Sequence, residues 1–540
     1  MITYFTTNYC KLFYALFLSY LFCPLILTAQ ILFRESNSNF YFLESKAIQS
    51  GRAEQYLTTR FSHFWLESLI ENRNDLLTTN IGDGRLRENR LKLYPYFSVD
   101  ASINGGSIQE DGSYVDRAPA VFIVANYKGF PFAKYRITFW MNFESHRLLS
   151  TKTIANFGHD FDSHKEVGYS SSVESDKWKE YDIGDGGIVI NYPAGEVALV
   201  KSNPIWGPGY AGQLLFSNKS PSFSFIQVHH RISDKWNFTF LHGFLNSTYE
   251  DLTYKYLGVP GLSSPGFPRV RKYVAAHRLD LHIKESFRLG FGESVIYGAR
   301  GIELGYLLAV VPYWSIQHDL SDPDNVQWFA DFDIVMKNVG RLYGAFFLDE
   351  WHLSKTFDKD KSRNWFAYQV GASYRLPVVK SGGTTLRAEY TFLTPYVYVH
   401  RNRINTFEHW GHPLGFWTGP NSDNLFLAVE GSLMNGLWLQ FYGQHSRRGE
   451  VSDSTVVLQY QTKHIPFLDH PTYEGEAENK TLFGVRGEAR FANFVIVEFD
   501  IFHVLWQQKV NLNQEPTDEN SPERYTLRKW YGRLKISIGI

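Results

Sequence analysis

The densest concentration of chemically capable side chains in this 540-residue chain lies at 401–423. There Arg401, Arg403, Glu408, His409, Trp410, His412, Trp417 and Asp423 fall in one polar, aromatic stretch. Guanidinium groups can pair with the carboxylates of acidic sugars. Indole faces can stack on the CH groups of a sugar ring while carboxylates and amides bond its hydroxyls. The alternative is a folded-in loop whose tryptophans only cap the structure beneath. Glu408-His409-Trp410-Gly411-His412 is also the nearest approach to a metal cluster. Gly411 and Pro413 make it a loop, however, so its two histidines do not share a helical face. His229 and His230 are neighbours in a strand-like stretch and point to opposite sides of it. The sequence has no G-x-S-x-G elbow, no phosphate loop and no H-E-x-x-H helix. It therefore reads as a binder without a cofactor, a metal or a catalytic set.

Such a stretch needs a frame, and the frame is written as alternation. Leu279, Leu281 and Ile283 oppose Arg278, Asp280, His282 and Lys284, and Leu386, Ala388, Tyr390 and Phe392 oppose Thr385, Arg387, Glu389 and Thr391. Phe483, Val485, Ala489 and Phe491 oppose Arg486, Glu488 and Arg490, and the chain closes on Leu534, Ile536, Ile538 and Ile540 against Arg533, Lys535 and Ser537. About eighteen such segments begin near Leu91, Ala118, Phe132, Gly187, Val197, Phe223, Trp236, Tyr273, Phe287, Trp328, Arg341, Trp365, Thr384, Asn424, Leu437, Thr481, Phe494 and Leu527. Segments of roughly ten residues are long for a sandwich and suit strands that cross hydrocarbon. An even number of them suits an antiparallel transmembrane β-barrel, and a final strand at the terminus suits closure against the first. The fold class is all-β.

Composition agrees. Aromatic residues make up 17 % of the chain, with 43 Phe, 33 Tyr and 14 Trp, which excludes a disordered polymer. Lys and Arg number 54 against 55 Asp and Glu, so no net positive charge draws the chain to nucleic acid. Charges of both signs on the polar faces can stay solvated in a wide bore or pair across a narrow one.

Residues 1–29 read as a secretory signal peptide, with Lys11, an apolar run from Leu12 to Phe22 and a Leu27-Thr28-Ala29 exit; both cysteines, Cys10 and Cys23, lie inside it. Residues 30–90 form an N-terminal periplasmic segment. In it the spacing of Leu57, Phe61, Phe64, Trp65 and Leu69 predicts one helix over 53–72. Residues 91–540 form the barrel. Longer polar connections at 145–186, 249–272, 401–423, 449–480 and 508–526 are the expected extracellular surface.

A set of short motifs goes further. Asn203-Pro204-Ile205-Trp206-Gly207-Pro208-Gly209 is followed by Leu214-Leu215-Phe216-Ser217-Asn218 and Pro221. Then come Ala276-His277-Arg278-Leu279, Gly290-Phe291-Gly292-Glu293-Ser294-Val295-Ile296-Tyr297-Gly298, Leu342-Tyr343-Gly344 and Phe347-Leu348-Asp349-Glu350. Glu389-Tyr390-Thr391, Pro395-Tyr396, His412-Pro413-Leu414-Gly415 and Gly419-Pro420-Asn421-Ser422-Asp423 complete the series. In this order, over about 200–430, they resemble the capsule-assembly Wzi family in its form from Bacteroidetes-like bacteria. The resemblance implies an outer-membrane barrel of about eighteen strands with a helical element on the periplasmic side, binding capsular or related polysaccharide at the cell surface. Expected partners are that polysaccharide and outer-membrane lipid and lipopolysaccharide, with the chain as a monomer. The expected polysaccharide contacts are Arg401, Arg403, Trp410, Trp417 and Asp423. Trp206, Gly207, Pro208, Gly209, Glu293, Asp349, Glu350, Glu389 and His412 read as structural positions of the motifs. Gly207 and Gly209 suit a turn with positive φ or a close backbone approach. Trp206 can serve as a sugar platform or as a plug against the wall, and Asp349-Glu350 can accept hydroxyls or pair with arginine. Two other functions stay open at this stage, a diffusion channel and a structural partner of a secretion or gliding machine. The state of the bore separates them.

Overall fold

In the strand Thr384–Leu393, Arg387 and Glu389 are 2 % and 1 % exposed, whereas Leu386 on the opposite face is 39 % exposed. Charge inside and leucine outside is the reverse of a water-solvated sheet, and it is the pattern of a wall between a polar interior and lipid. The computed structural model describes residues 37–53, 59–61, 90–106, 113–127, 135–150, 173–175, 178–253, 268–350, 365–376, 383–434, 436–449, 451, 478–491, 495–509 and 524–539.

Eighteen of the described strands pair antiparallel in chain order. They are Arg90–Gly106, Ser113–Tyr127, Arg136–Ser150, Trp178–Tyr192, Gly195–Ser202 and Phe223–Arg231, then Trp236–Glu250, Arg269–Lys284, Phe287–Gly298, Asn325–Met336, Gly340–Glu350 and Trp365–Leu376. Thr384–Leu393, Ser422–Met434, Leu437–Arg448, Glu478–Phe491, Val495–Lys509 and Arg524–Gly539 complete the wall. The last strand pairs with the first, from Tyr96 opposite Gly539 to Gly106 opposite Lys529, so the ring is closed. Each segment start read from the sequence falls within or just before one of these strands.

Outward positions carry a belt of exposed apolar groups, among them Phe139, Leu199, Phe291, Phe346, Val370, Leu427 and Phe483. In water such a surface would be a liability; against acyl chains it is the matched face. Among the described residues no helix is long and apolar enough to cross a membrane. The chain is an integral outer-membrane β-barrel.

Connections alternate in length around the ring. Residues 193–194, 232–235, 285–286 and 337–339 make tight turns at the end that also holds the first residues of the first strand and the last of the last. Residues 203–222, 251–268, 299–324 and 394–421 lie at the other end, which by length is the extracellular one. Of the expected long connections, 145–186 is strand up to Ser150 and again from Trp178, and 249–272 shrinks to 251–268. Most of 449–480 and 508–526 lies outside the described residues. The connections 203–222 and 299–324 were not anticipated as long loops.

The N-terminal segment differs from expectation. Its described helix, α1, is Asn37–Ser50, and Thr59–Phe61 within the span expected to be helical is a strand paired with Pro204–Trp206. Residues 54–58 and 62–72 lie outside the described residues. The helical spacing at Leu57 and Phe61 was outweighed by the open backbone edge of 204–206, whose polar groups need partners in the interior. Helix α1 escaped notice because its buried face includes Glu44, which breaks the apolar stripe. Gly51, at φ +75°, ends the helix with its amide donating to Ala47 O at 2.8 Å.

The bore is filled from both ends. From the periplasmic side, Phe40, Ala47 and Ile48 of α1 pack with Ala53, Val335 and Tyr210, and the Tyr41 hydroxyl donates to Gly383 O at 2.6 Å. From the extracellular side, Trp206, Leu214, Phe216, Tyr398, Phe407 and Phe416 form an apolar core with the wall residues Leu241, Val274, Ile296 and Phe347.

Candidate functional site

At mid-bore the two fillings meet. The rings of Phe40 and Tyr210 touch edge to face with centroids 5.5 Å apart. Around this contact stand charges projected inward by the period-two alternation of the wall. Glu44 of α1 accepts from Arg341 at 3.2 Å and from Arg387 at 2.5 Å. Arg341 is also held by Asp333 at 2.9 Å, and Arg387 by Glu430 at 2.7 Å. Arg387 lies 3.9 Å from the centroid of the Tyr210 ring. A second cluster couples Arg278 and Arg288 to Asp280 and Asp331, with Arg278 over the Trp206 ring at 5.9 Å. The charges at Arg278, Asp280 and Arg387 are thus paired inside the bore.

The 203–222 segment descends into this frame because its glycines allow it. Gly207 takes φ +130°, and a Cβ on Gly209 would collide with Gly212 O and Gln369 Oε1. Pro208 O accepts from Arg341 at 3.1 Å. Glu389 accepts the amides of Tyr210 and Ala211 at 2.6 and 3.0 Å and the Tyr343 hydroxyl at 2.7 Å. Trp206 is fully buried against Phe216 and Phe329, so it is a plug and presents no face to solvent.

The 394–421 connection lies above as a cap. Asp349 accepts the Tyr398 amide, and among the described contacts no arginine pairs with it; Glu350 is half-buried at the end of the same strand. The Tyr398 hydroxyl donates to Leu214 O at 2.5 Å, tying the cap to the descending segment. His400 Nδ1 accepts the Asn402 amide at 3.1 Å, and His409 Nδ1 accepts the Asn246 amide at 2.9 Å. Burial drives both imidazoles down, His400 to about 4 and His409 to about 3, so both are neutral acceptors at pH 7. His412 pairs in a two-residue ladder with His409.

Four of the five expected contact residues lie along this cap, and Asp423 lies just beyond it on the wall. Arg401 and Arg403 are exposed, and Arg401 donates to Asp322 O of the neighbouring connection. Trp410, at φ +53°, is half-buried, with Arg269 5.6 Å from its ring centroid. Trp417 is half-buried on Phe416, their centroids 5.8 Å apart. Asp423 is buried on a wall strand, where Arg447 Nε donates to it at 3.0 Å and the Tyr390 hydroxyl at 3.1 Å. Glu293 stands on the outer wall and accepts from Trp328 Nε1 and the Tyr313 amide, both at 2.6 Å. Arg269 and Arg447 were missed by sequence reasoning, since each sits in an ordinary strand; Arg447 meets Asp423 through the register of the neighbouring strand, and Arg269 meets Trp410 through the folded connection above it. Among the described residues no group of three or more His, Cys, Asp or Glu side chains could hold a metal ion.

A closed eighteen-strand wall with a lipid-facing belt and filled bore defines an outer-membrane barrel. No known protein family matches the chain, and no curated protein matches it. Among solved structures it is similar to Wzi of Escherichia coli, described as an outer-membrane, carbohydrate-binding β-barrel involved in group 1 capsule assembly. That similarity has 12 % identity and a TM-score of 0.48, over 88 % of this chain and 87 % of Wzi. It is also similar to OccAB4 of Acinetobacter baumannii, at 9 % identity and a TM-score of 0.42 over 85 % of this chain and 100 % of that one. OprD of Pseudomonas aeruginosa matches at 9 % identity and a TM-score of 0.41 over 83 % and 95 %.

Proposed function

We propose that this barrel is a non-enzymatic surface lectin that holds exported polysaccharide, capsular or related, at the extracellular rim. The observation that carries the reading is the filled bore. Helix α1 and the 203–222 segment meet at Phe40 and Tyr210 and are bolted to the wall by Glu44 and Glu389. A diffusion channel needs a continuous water path; a surface binder needs a rigid platform, and a packed interior supplies one. The resemblance of the motif series to capsule-assembly barrels supports the same ligand class, and Arg401, Arg403, Trp410 and Trp417 supply cations and ring faces suited to acidic sugars. Weak contacts repeated along a polymer give retention by avidity. The deciding experiment pairs two measurements on purified protein, glycan binding and planar-bilayer conductance. Binding to acidic polysaccharide without steady single-channel current is expected. Large steady currents without binding would replace the lectin by a channel.

A further inference from the structure

We infer that the 299–324 connection is a lipid-binding element, which folds down the outside of the barrel and sets Leu304, Leu308, Val310 and Trp314 among the acyl chains of the outer leaflet. Strand faces fix its position. In Arg269–Lys284, Val274, Ala276, Arg278 and Asp280 face the bore, so Tyr273, Ala275 and His277 face outward. In Phe287–Gly298, Ile296 joins the bore core, so Glu293, Val295 and Tyr297 face outward. The connection packs on that outward set: Tyr306 and Tyr313 are fully buried against Tyr273, Ala275, Val295 and Tyr297.

It reaches well below the rim. The Tyr313 amide donates to Glu293, five residues before the end of its strand at Gly298, which is roughly 16 Å along the wall. Fastenings hold it there. Arg300 pairs with Asp324 across the base of the connection, and the Tyr306 hydroxyl donates to Asp324 at 2.7 Å. Ala299, Ser321 and Asp322 take positive φ where the chain leaves the wall and returns to it.

Its far side is apolar. Leu304 is 72 % exposed, Val310 85 % and Trp314 50 %, on a segment whose inner residues are locked. Patches of this kind mark contact surfaces. The occupant follows from continuity: Phe291 and Ile283 on the same wall below are part of the lipid-facing belt. A short helix, Tyr313–Asp319, carries Trp314 near its start and the exposed His318 and Asp319 at its end, an apolar-to-polar gradient suited to a membrane interface.

The test uses the full barrel in phosphatidylcholine vesicles, with Cys10→Ser and Cys23→Ser and one nitroxide at Val310→Cys or at Thr253→Cys, an exposed rim control. Collisions with oxygen relative to a water-soluble nickel chelate should be several-fold more frequent at 310 than at 253. Equal nickel access at the two sites would overturn the proposal, because it would leave this face in water and open to a protein partner. Lipids brominated at mid-chain should also quench the parent more than Trp314→Phe. Identical quenching of both would count against immersion.

Discussion

The Tyr210 amide donates to Glu389 at 2.6 Å, so a buried carboxylate on a wall strand grips the tip of a connection that enters from outside the cell. The same carboxylate takes the Ala211 amide and the Tyr343 hydroxyl. Further wall residues complete the grip, Gln369 on Gly212 O at 3.0 Å and Gln440 on the Tyr210 hydroxyl at 2.7 Å. Three wall strands thus converge on three consecutive residues, Tyr210 to Gly212.

Glu389→Ala removes that acceptor and leaves two buried amides unpaired, at about 1–3 kcal/mol each. The ring itself keeps its ladders, so the variant should still migrate differently boiled and unboiled. Its bilayer traces should gain openings that the parent lacks. Traces indistinguishable from the parent would mean that the 203–222 segment is held without Glu389.

Glu44→Ala attacks the filling from the other end. It leaves Arg341 and Arg387 with one buried carboxylate partner each, Asp333 and Glu430, and breaking a buried pair costs about 3–5 kcal/mol. The loss should appear as faster hydrogen exchange over 37–50 with exchange in the wall strands unchanged. Glu44→Gln, which keeps one acceptor oxygen, should fall between the two.

Gly209→Ala tests the descent directly. The added methyl has to displace Gly212 O or the Gln369 amide, so the tip cannot keep its bonds to Glu389. Increased protease cleavage within 203–222 in assembled barrels is expected; Ser220→Ala nearby, outside the tip, should leave cleavage unchanged.

Acid should loosen the cap. His400 and His409 have folded values of about 4 and about 3, below the unfolded 6.5, so the unfolded cap binds more protons between these values. Stability from these rings is therefore complete above pH 6.5 and falls as pH drops toward 4, by about 1.4 kcal/mol per unit for each ring. Glu408, raised by burial against the lowering effect of Lys272, works in the opposite sense as it takes up its proton. The protection of amides over 394–421, taken relative to their pH-dependent intrinsic exchange, should fall between pH 7 and 5. A His400→Gln, His409→Gln double variant should flatten that dependence while leaving the Glu408 contribution in place.

The wall was legible in the sequence because lipid outside and water or charge inside impose a strict period of two, as at Leu386, Arg387, Ala388 and Glu389. The filling was not. Helix α1 buries Glu44 between Phe40 and Ala47, so a carboxylate interrupts the apolar stripe of its inner face, and the partners that make Glu44 tolerable lie 297 and 343 residues away. Thr59–Phe61 forms a strand only because 204–206 reaches it. The 299–324 connection reads as a mixed apolar run, since both of its faces are apolar, one against the wall and the other outward. At the rim, residue types pointed to Trp410 but nothing marked Arg269, which closes over it from another strand.

Replacing Arg401, Arg403, Trp410 and Trp417 together with Ala tests where polysaccharide is held. Arg401 and Arg403 are exposed on the cap, so their loss touches no buried pair of the bore. Trp410 and Trp417 are half-buried, and truncating them costs the cap some packing; heat-modifiable migration and surface labelling check that the barrel still assembles. An assembled variant should release polysaccharide into the medium that the parent retains on the cell. Asp423 is kept out of the set because Arg447 and Tyr390 hold it, and Asp423→Asn should disturb that ion pair without releasing polymer. Arg269→Ala separates the two roles of the rim tryptophan. If Trp410 stacks on sugar, losing the cation beside its ring should weaken retention only modestly, by less than the loss of Trp410 itself. Full retention by the assembled quadruple variant would move the site off this cap.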